Sequence, residues 1–172
     1  DVSAVVRGIG VCGPRARTVL ATVFGHGDPA LSAFVAYQHR RVQFDGVYVD
    51  VARVPDFGVE GFDLFVPVEV AEPLIEKLVA AGATPVDAEV LTIARVEAGR
   101  PLFGVDMDEN TLVQEANFDE LHGISYTKGC YTGQETVARV HFRGHVNRHL
   151  RGLRAMSLLG SGAQLFSTDG QP

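Results

Sequence analysis

Tyr37-Gln38-His39-Arg40-Arg41-Val42-Gln43-Phe44-Asp45-Gly46-Val47-Tyr48-Val49-Asp50-Val51-Ala52-Arg53-Val54 is the stretch that decides the fold class. Two extended runs flank Asp45-Gly46, and Asp-Gly is the dipeptide that closes a tight antiparallel hairpin. Working outward, Gly61 to Pro67 reads as another short strand, and Ser3 to Val11 is apolar enough for one more. Pro14 opens a helix over Pro14–Phe24, since proline is tolerated in the first helical turn, and Gly25 and Gly27 close it. Glu69 to Ala81 has helical periodicity through Val70, Leu74 and Leu78 and ends at Gly82. Asp87 caps a further helix that runs to Ala98 and stops at Gly99. Strands alternate irregularly with helices around one clear hairpin. The expected fold is therefore α+β with an antiparallel sheet and packed helices, not a doubly wound parallel sheet.

The 172 residues are enough for a genuine buried core, and 46% hydrophobic with 21% charged residues is an ordinary globular composition. No apolar run reaches the length of a membrane span, and no charged start followed by an apolar stretch suggests a signal peptide. Asp1-Val2-Ser3-Ala4 lacks an initiator Met, and Ser167 to Pro172 ends at a turn, so both ends read as cut from a longer chain. The only cysteines, Cys12 and Cys130, cannot build a four-thiolate metal site, and they lie too far apart for a C-x-x-C redox pair. A reduced, cytoplasmic setting is the expectation.

A net charge of −6 argues against general affinity for nucleic acid or anionic membranes. The charge is uneven, however. Lys128, Arg139, Arg143, Arg148, Arg151 and Arg154 against the single acid Glu135 make the segment 128–154 +5, which leaves −11 for the rest. That stripe is either a solvated face or a site for an anionic ligand or partner.

Three motifs invite chemistry. Asp106-Met107-Asp108-Glu109-Asn110 has the start of a calcium loop, but Thr111 and Asn117 stand where an EF-hand needs Gly and Glu, so it reads as an acidic surface loop. His141, His145 and His149 are spaced four apart, yet Gly144 ends the helix between them, and no metal site is expected. Lys128-Gly129-Cys130-Tyr131-Thr132-Gly133-Gln134-Glu135 is stronger. Thr132 and Glu135 form a capping-box pattern that starts a helix at Thr132. Glu135 and Arg139 can pair one turn apart, Val137, Val140 and His141 face inward, and Gly144 is the stop. Cys130 then lies just before a helix N-terminus with Lys128 two residues away, and both features favour thiolate over thiol. Such a cysteine can be a nucleophile, a redox sensor or a soft-metal ligand. An inert buried cysteine beside a structural cap is the alternative, and local chemistry does not choose between them.

The segment K-G-C-Y-T-G-Q-E resembles the signature of the YgfZ-type branch of the GcvT-like folate-binding family. Val11-Cys12-Gly13-Pro14-Arg15-Ala16, Gly61 to Pro67, Arg95 to Pro101 and Gly162 to Phe166 fit the same family, so the resemblance spans nearly the whole chain. It implies a fragment of a longer protein, with residues 1–146 in the folate-binding α+β region and 147–172 beginning a C-terminal β-barrel. It implies a functional thiol at Cys130 activated by Lys128, within a signature that includes Gly129, Tyr131, Gly133, Gln134, Glu135 and Arg139. It also implies a tetrahydrofolate or other folate ligand contacted by Arg95, Glu60 and Glu97.

The function this branch implies is support of iron–sulfur cluster assembly or repair, and through it of tRNA modification. Expected partners are folate and iron–sulfur proteins or assembly factors, with no membrane and no direct nucleic acid. In that reading Cys130 exchanges with a cluster, a persulfide or a partner thiol. The alternative within the family is a folate-dependent aminomethyltransferase of glycine cleavage. Those enzymes carry Gly-Glu-Asp-Gly-[aromatic]-Glu where this chain has Gly58-Val59-Glu60-Gly61-Phe62-Asp63, so the Glu that holds the pterin has become Val59, unless a one-residue slip assigns that role to Glu60. They also lack the cysteine of the signature. Leu91 stands where some relatives place an aromatic to stack on the ligand. A plain RNA- or protein-binding module built on the Arg139–Arg154 stripe ranks last, because no aromatic platform is visible beside it.

Overall fold

The computed structural model describes residues 1–25, 33–160 and 162–166, so Gly27, expected to help close the first helix, lies outside the described residues. Four antiparallel strands form one sheet: β1 (Val6–Cys12), β2 (His39–Phe44), β3 (Val47–Arg53) and β4 (Gly61–Pro67), in the order β1-β4-β3-β2. Helix α1 (Ala16–Phe24) follows β1, and α2 (Val68–Ala80) and α3 (Ala88–Glu97) follow β4. A fourth helix, α4, spans Gln134–Arg143. This is the expected α+β architecture. The chain divides into two compact units, Asp1–Met107 and Asp108–Pro172.

The hairpin forms where the Asp-Gly turn places it. Asp45 and Gly46 both have positive φ, +48° and +81°, and Phe44 pairs with Val47 across the two-residue loop. Pairing of β1 with β4 (Val11 opposite Phe62, Ile9 opposite Leu64) and of β3 with β4 (Val51 opposite Leu64) puts one set of alternate side chains on a single face. Val11, Val42, Phe44, Val49, Val51, Phe62, Leu64 and Val66 are buried there against Ala16, Val19 and Leu20 of α1 and Ala71, Leu74 and Leu78 of α2. The opposite face carries Gly8, Gly10 and Cys12, then Gly61, Asp63 and Phe65, then Asp50 and Ala52; Phe65 is 47% exposed.

Gly61 is required by a close approach. A Cβ there would meet the Val54 carbonyl oxygen at 2.4 Å, because Val54 N–H donates to the Gly61 carbonyl at 2.8 Å as β4 begins.

Local punctuation behaves largely as the residues predict. Asp87 caps α3 by accepting from Val90 N–H at 3.0 Å, and Gly82 and Gly99 adopt positive φ just past α2 and α3. Two starts differ from expectation. β1 begins at Val6 because Val5 and Val6 N–H groups donate to the Val2 carbonyl in a turn, and α1 begins at Ala16 because Pro14 sits inside a turn closed by Ala16 N–H on the Gly13 carbonyl. After Gly144 the described residues form neither helix nor strand, so no barrel strand forms among them.

Candidate functional site

In the first unit, a largely apolar groove of about 850 Å³ runs beside β1 and β4, lined among others by Cys12, Phe62, Asp63, Leu78, Val86 and Leu91. Asp63 is its distinctive group. It points away from the core on β4, with Gly10 as its cross-strand partner on β1 and Ala52 on β3. A Cβ on Gly10 would lie 3.7 Å from the Asp63 Oδ1, so small neighbours leave the carboxyl uncovered from above while the strands desolvate its flanks. Burial raises the Asp63 pKa, and the negative charge of Asp56 adds to that. Asp56 itself is ion-paired with Arg100. Asp63 has no hydrogen-bond or ion-pair partner among the described residues, so it is a half-buried carboxyl open to a donor from a ligand.

Glu60 behaves in the opposite way. Arg17 reaches its Oε1 at 2.6 Å, and Arg53 contacts Oε1 at 2.9 Å and Oε2 at 3.3 Å. Burial alone would raise the Glu60 pKa, but the hydrogen bonds and charges of Arg53 and Arg17 outweigh it and hold the carboxyl below its usual range. Arg53 also donates to the Phe34 carbonyl at 3.2 Å, and the Arg17 guanidinium lies 5.4 Å from the centre of the Phe62 ring. Glu60 is thus an ionised clamp between α1, the end of β3 and the start of β4.

Arg95 holds a loop rather than facing the groove. Its Nη1 donates to the Arg100 carbonyl at 2.5 Å and to Asp106 Oδ2 at 2.7 Å, and Asp106 also accepts from Leu102 N–H at 2.9 Å. Glu97 is exposed near the end of α3, and a spacing of two residues places it on the side of the helix away from Arg95. None of Arg95, Glu97 and Glu60 lines the groove. The groove carboxyl was readable in one respect: Asp63 stands at the acidic position that ends the Gly-x-x-Gly-aromatic-acid pattern, and it is the polar member of an apolar strand.

The second unit holds the cysteine segment. Cys130 is exposed. The capping box expected at Thr132 does not form: the N-cap of α4 is Gly133 at φ +86°, with no side-chain cap bond. Gln134 takes over, its Oε1 accepting from Tyr131 N–H at 3.1 Å while its own N–H donates to the Tyr131 carbonyl at 3.3 Å. With the N-cap at Gly133, Thr132 and Glu135 no longer hold the N-cap and N3 positions that a capping box needs, and Glu135 and Arg139 form no ion pair among the described residues. Cys130 therefore lies further from the first helical turn than the capping box implied. The Lys128 ammonium sits over the Tyr131 ring, 4.6 Å from its centre, and Lys128 N–H donates to Ser125 Oγ at 3.2 Å.

Behind this segment, Gln114 is buried (7% exposed) and its Nε2 donates to the Val137 carbonyl of α4 at 2.9 Å and to the Tyr126 hydroxyl at 3.4 Å. Tyr126 donates to Asp119 at 2.6 Å, and its ring stacks on His141 at 3.7 Å. Burial first, and the Asp119 hydrogen bond next, raise the Tyr126 pKa. The residue type at 114 gave no sign in the sequence that it would anchor this helix. His141 is exposed, against the inward placement expected, because the Tyr126 ring holds it at the helix edge. α4 ends at Gly144, so His145 and His149 lie beyond the helix that carries His141. In the acidic loop, Asp108 accepts from Asn110 N–H at 2.9 Å and from the Thr111 hydroxyl at 3.0 Å, which holds its carboxyl below the usual range. Among the described residues no helix is long and apolar enough to cross a membrane.

Residues 1–123 match the model of the GCVT N-terminal domain. Over 142 residues the chain is 35% identical to the "tRNA-modifying protein YgfZ" of Yersinia pestis (strain Pestoides F) and to that of Yersinia pseudotuberculosis serotype O:1b (strain IP 31758). The protein of the same name from Yersinia enterocolitica serotype O:8 / biotype 1B is also 35% identical over 142 residues. Each alignment covers 83% of this chain and 40% of the relative, so the chain spans well under half the length of the curated relatives it matches. The match to the GCVT N-terminal domain covers residues 1–123, most of the chain, and the chain therefore belongs to the GcvT-like family.

Proposed function

We propose that this chain is the folate-binding part of an accessory protein that supports iron–sulfur cluster assembly or repair in other proteins, and through them tRNA modification. The observation that carries the folate half is Asp63, a half-buried carboxyl without a partner among the described residues, in a largely apolar groove of about 850 Å³. A pterin presents adjacent N–H donors at the edge of a flat heteroaromatic ring, and a half-buried carboxyl in a largely apolar groove is a complementary acceptor. In this reading Asp63 receives the pterin edge. Glu60 braces the fold, Arg95 braces the adjoining loop, and Glu97 does not contact the ring.

The thiol half rests on the exposed Cys130 in its hydrogen-bonded turn. Its thiolate would attack the outer sulfur of a partner's persulfide, take up that sulfur and release the partner's thiolate, a transfer that needs no oxidant. Lys128, two residues away, would assist it. Residues 147–172 are assigned to the beginning of the β-barrel, and the setting to the cytoplasm.

Two measurements test the pair separately. Calorimetric titration with tetrahydrofolate should give binding that Asp63→Asn weakens; binding that is unchanged by Asp63→Asn removes the groove from the folate reading. In cells lacking their own family member, the wild-type protein but not Cys130→Ser should restore an iron–sulfur-dependent enzyme during oxidative growth. Equal rescue by both would make Cys130 structural.

A further inference from the structure

We propose that the outward face of α4 is a binding surface for unpaired nucleotides of RNA. The sequence reading ranked such a module last for want of an aromatic platform beside the basic stripe, and the folded second unit supplies one. Phe142 is 69% exposed, its ring meets Tyr126 edge-on at 6.0 Å, and His141 stacks flat on Tyr126 at 3.7 Å and 19°. His141 and Phe142 rings are themselves 4.7 Å apart. A large aromatic left this open on a helix whose other side is half-buried offers a π-face to a base, and every base has one to stack on it.

The charges fit the same ligand. At 100° per residue, Arg139 and Arg143 share the exposed side of α4 with Phe142. Neither has an ion-pair partner among the described residues. In the first unit, by contrast, six of the eight arginines (Arg7, Arg17, Arg41, Arg53, Arg95 and Arg100) are each paired with a carboxylate, Arg15 and Arg40 being the exceptions among the described residues. Guanidinium groups without acids beside an exposed ring match phosphates that alternate with bases. The one acid on this side of the helix is Glu135, at its first turn; Asp119 is held by Tyr126, and Glu115 by Arg148. A protein partner or the polyglutamate tail of a folate would use the arginines but leave the ring without a role, and duplex RNA would hide its bases. Unpaired nucleotides use both.

The test is fluorescence anisotropy of a labelled, unstructured RNA of about 12 nucleotides against the whole 172-residue chain, over a range of salt. Binding should weaken as salt rises. The double substitution Arg139→Gln/Arg143→Gln should lower the salt slope by about 1.4, the value for two lost phosphate contacts on a single strand. Phe142→Ala and Phe142→Leu should each weaken binding about tenfold with the slope unchanged. Far-ultraviolet circular dichroism matching the wild type shows that the loss is not unfolding, and the leucine keeps apolar bulk without a π-face. Polyglutamate and duplex RNA of equal length should compete at least tenfold less well. No binding at about 50 mM salt, where phosphate contacts are strong, overturns the proposal. Binding that ignores Phe142 and yields equally to polyglutamate overturns it too, since the face would then be merely cationic.

Discussion

Arg53 grips both carboxylate oxygens of Glu60, Nε to Oε1 at 2.9 Å and Nη2 to Oε2 at 3.3 Å. With Arg17 on the same carboxylate, the contact joins α1 to the two central strands. Glu60→Gln should destabilise the chain by about 1–3 kcal/mol at neutral pH, the usual range for hydrogen bonds to a charged group, with folate binding little changed. Because the folded pKa of Glu60 is depressed, its contribution is present above the unfolded value and is lost as pH falls through the folded one. Urea unfolding of wild type and Glu60→Gln at neutral pH and on the acid side should therefore converge toward low pH. A difference that persists in acid would place the energy elsewhere.

Asp63 predicts the reverse pH trend. Its folded pKa is raised, so its share of stability is complete below the unfolded value and falls as pH rises through the folded one. Asp63→Asn should leave the melting temperature at neutral pH unchanged or higher, while tetrahydrofolate affinity drops about 10- to 100-fold, the cost of one charge-assisted hydrogen bond. Thermal melts beside titration calorimetry read the two effects apart.

The turn before α4 offers a contrast between neighbouring side chains. Thr132→Ala should change stability by less than about 0.5 kcal/mol, because Thr132 makes no capping bond. Gln134→Ala should cost about 1 kcal/mol, since it removes the acceptor of Tyr131 N–H. Chemical denaturation of both variants checks the order; a larger loss at Thr132 would restore the capping box.

Gly61→Ala should lower stability by about 1–3 kcal/mol through the clash of its Cβ with the Val54 carbonyl, a cost of the overpacking kind. Gly8→Ala, where a Cβ meets nothing within 4 Å, is the control and should be nearly silent. A thermal-shift comparison of the two suffices.

Much of the fold was legible because its signals are local. The Asp45-Gly46 turn, the strand Gly61–Pro67 and the Asp87 cap all depend on a few adjacent residues and their own φ, ψ and hydrogen bonds. Thr132 shows where local logic stops: the residues of a capping box are present, but Gln134 closes the turn first. The aromatic cluster of Tyr126, His141 and Phe142 was hidden for a related reason, since Tyr126 meets the helix only after a loop folds back on it.

By itself, then, the sequence determined the element types, the antiparallel hairpin and the family, because turn dipeptides, caps and an eight-residue signature act at short range. Only the tertiary structure decided which carboxylate is available to a ligand. Glu60 and Asp63 are three residues apart and chemically alike. Glu60 is neutralised by Arg17, 43 residues away, and by Arg53 across a strand connection, whereas Asp63 is desolvated by the strands on either side and meets no cation among the described residues. Charge compensation is a property of neighbours in space, and no spacing along the chain records it.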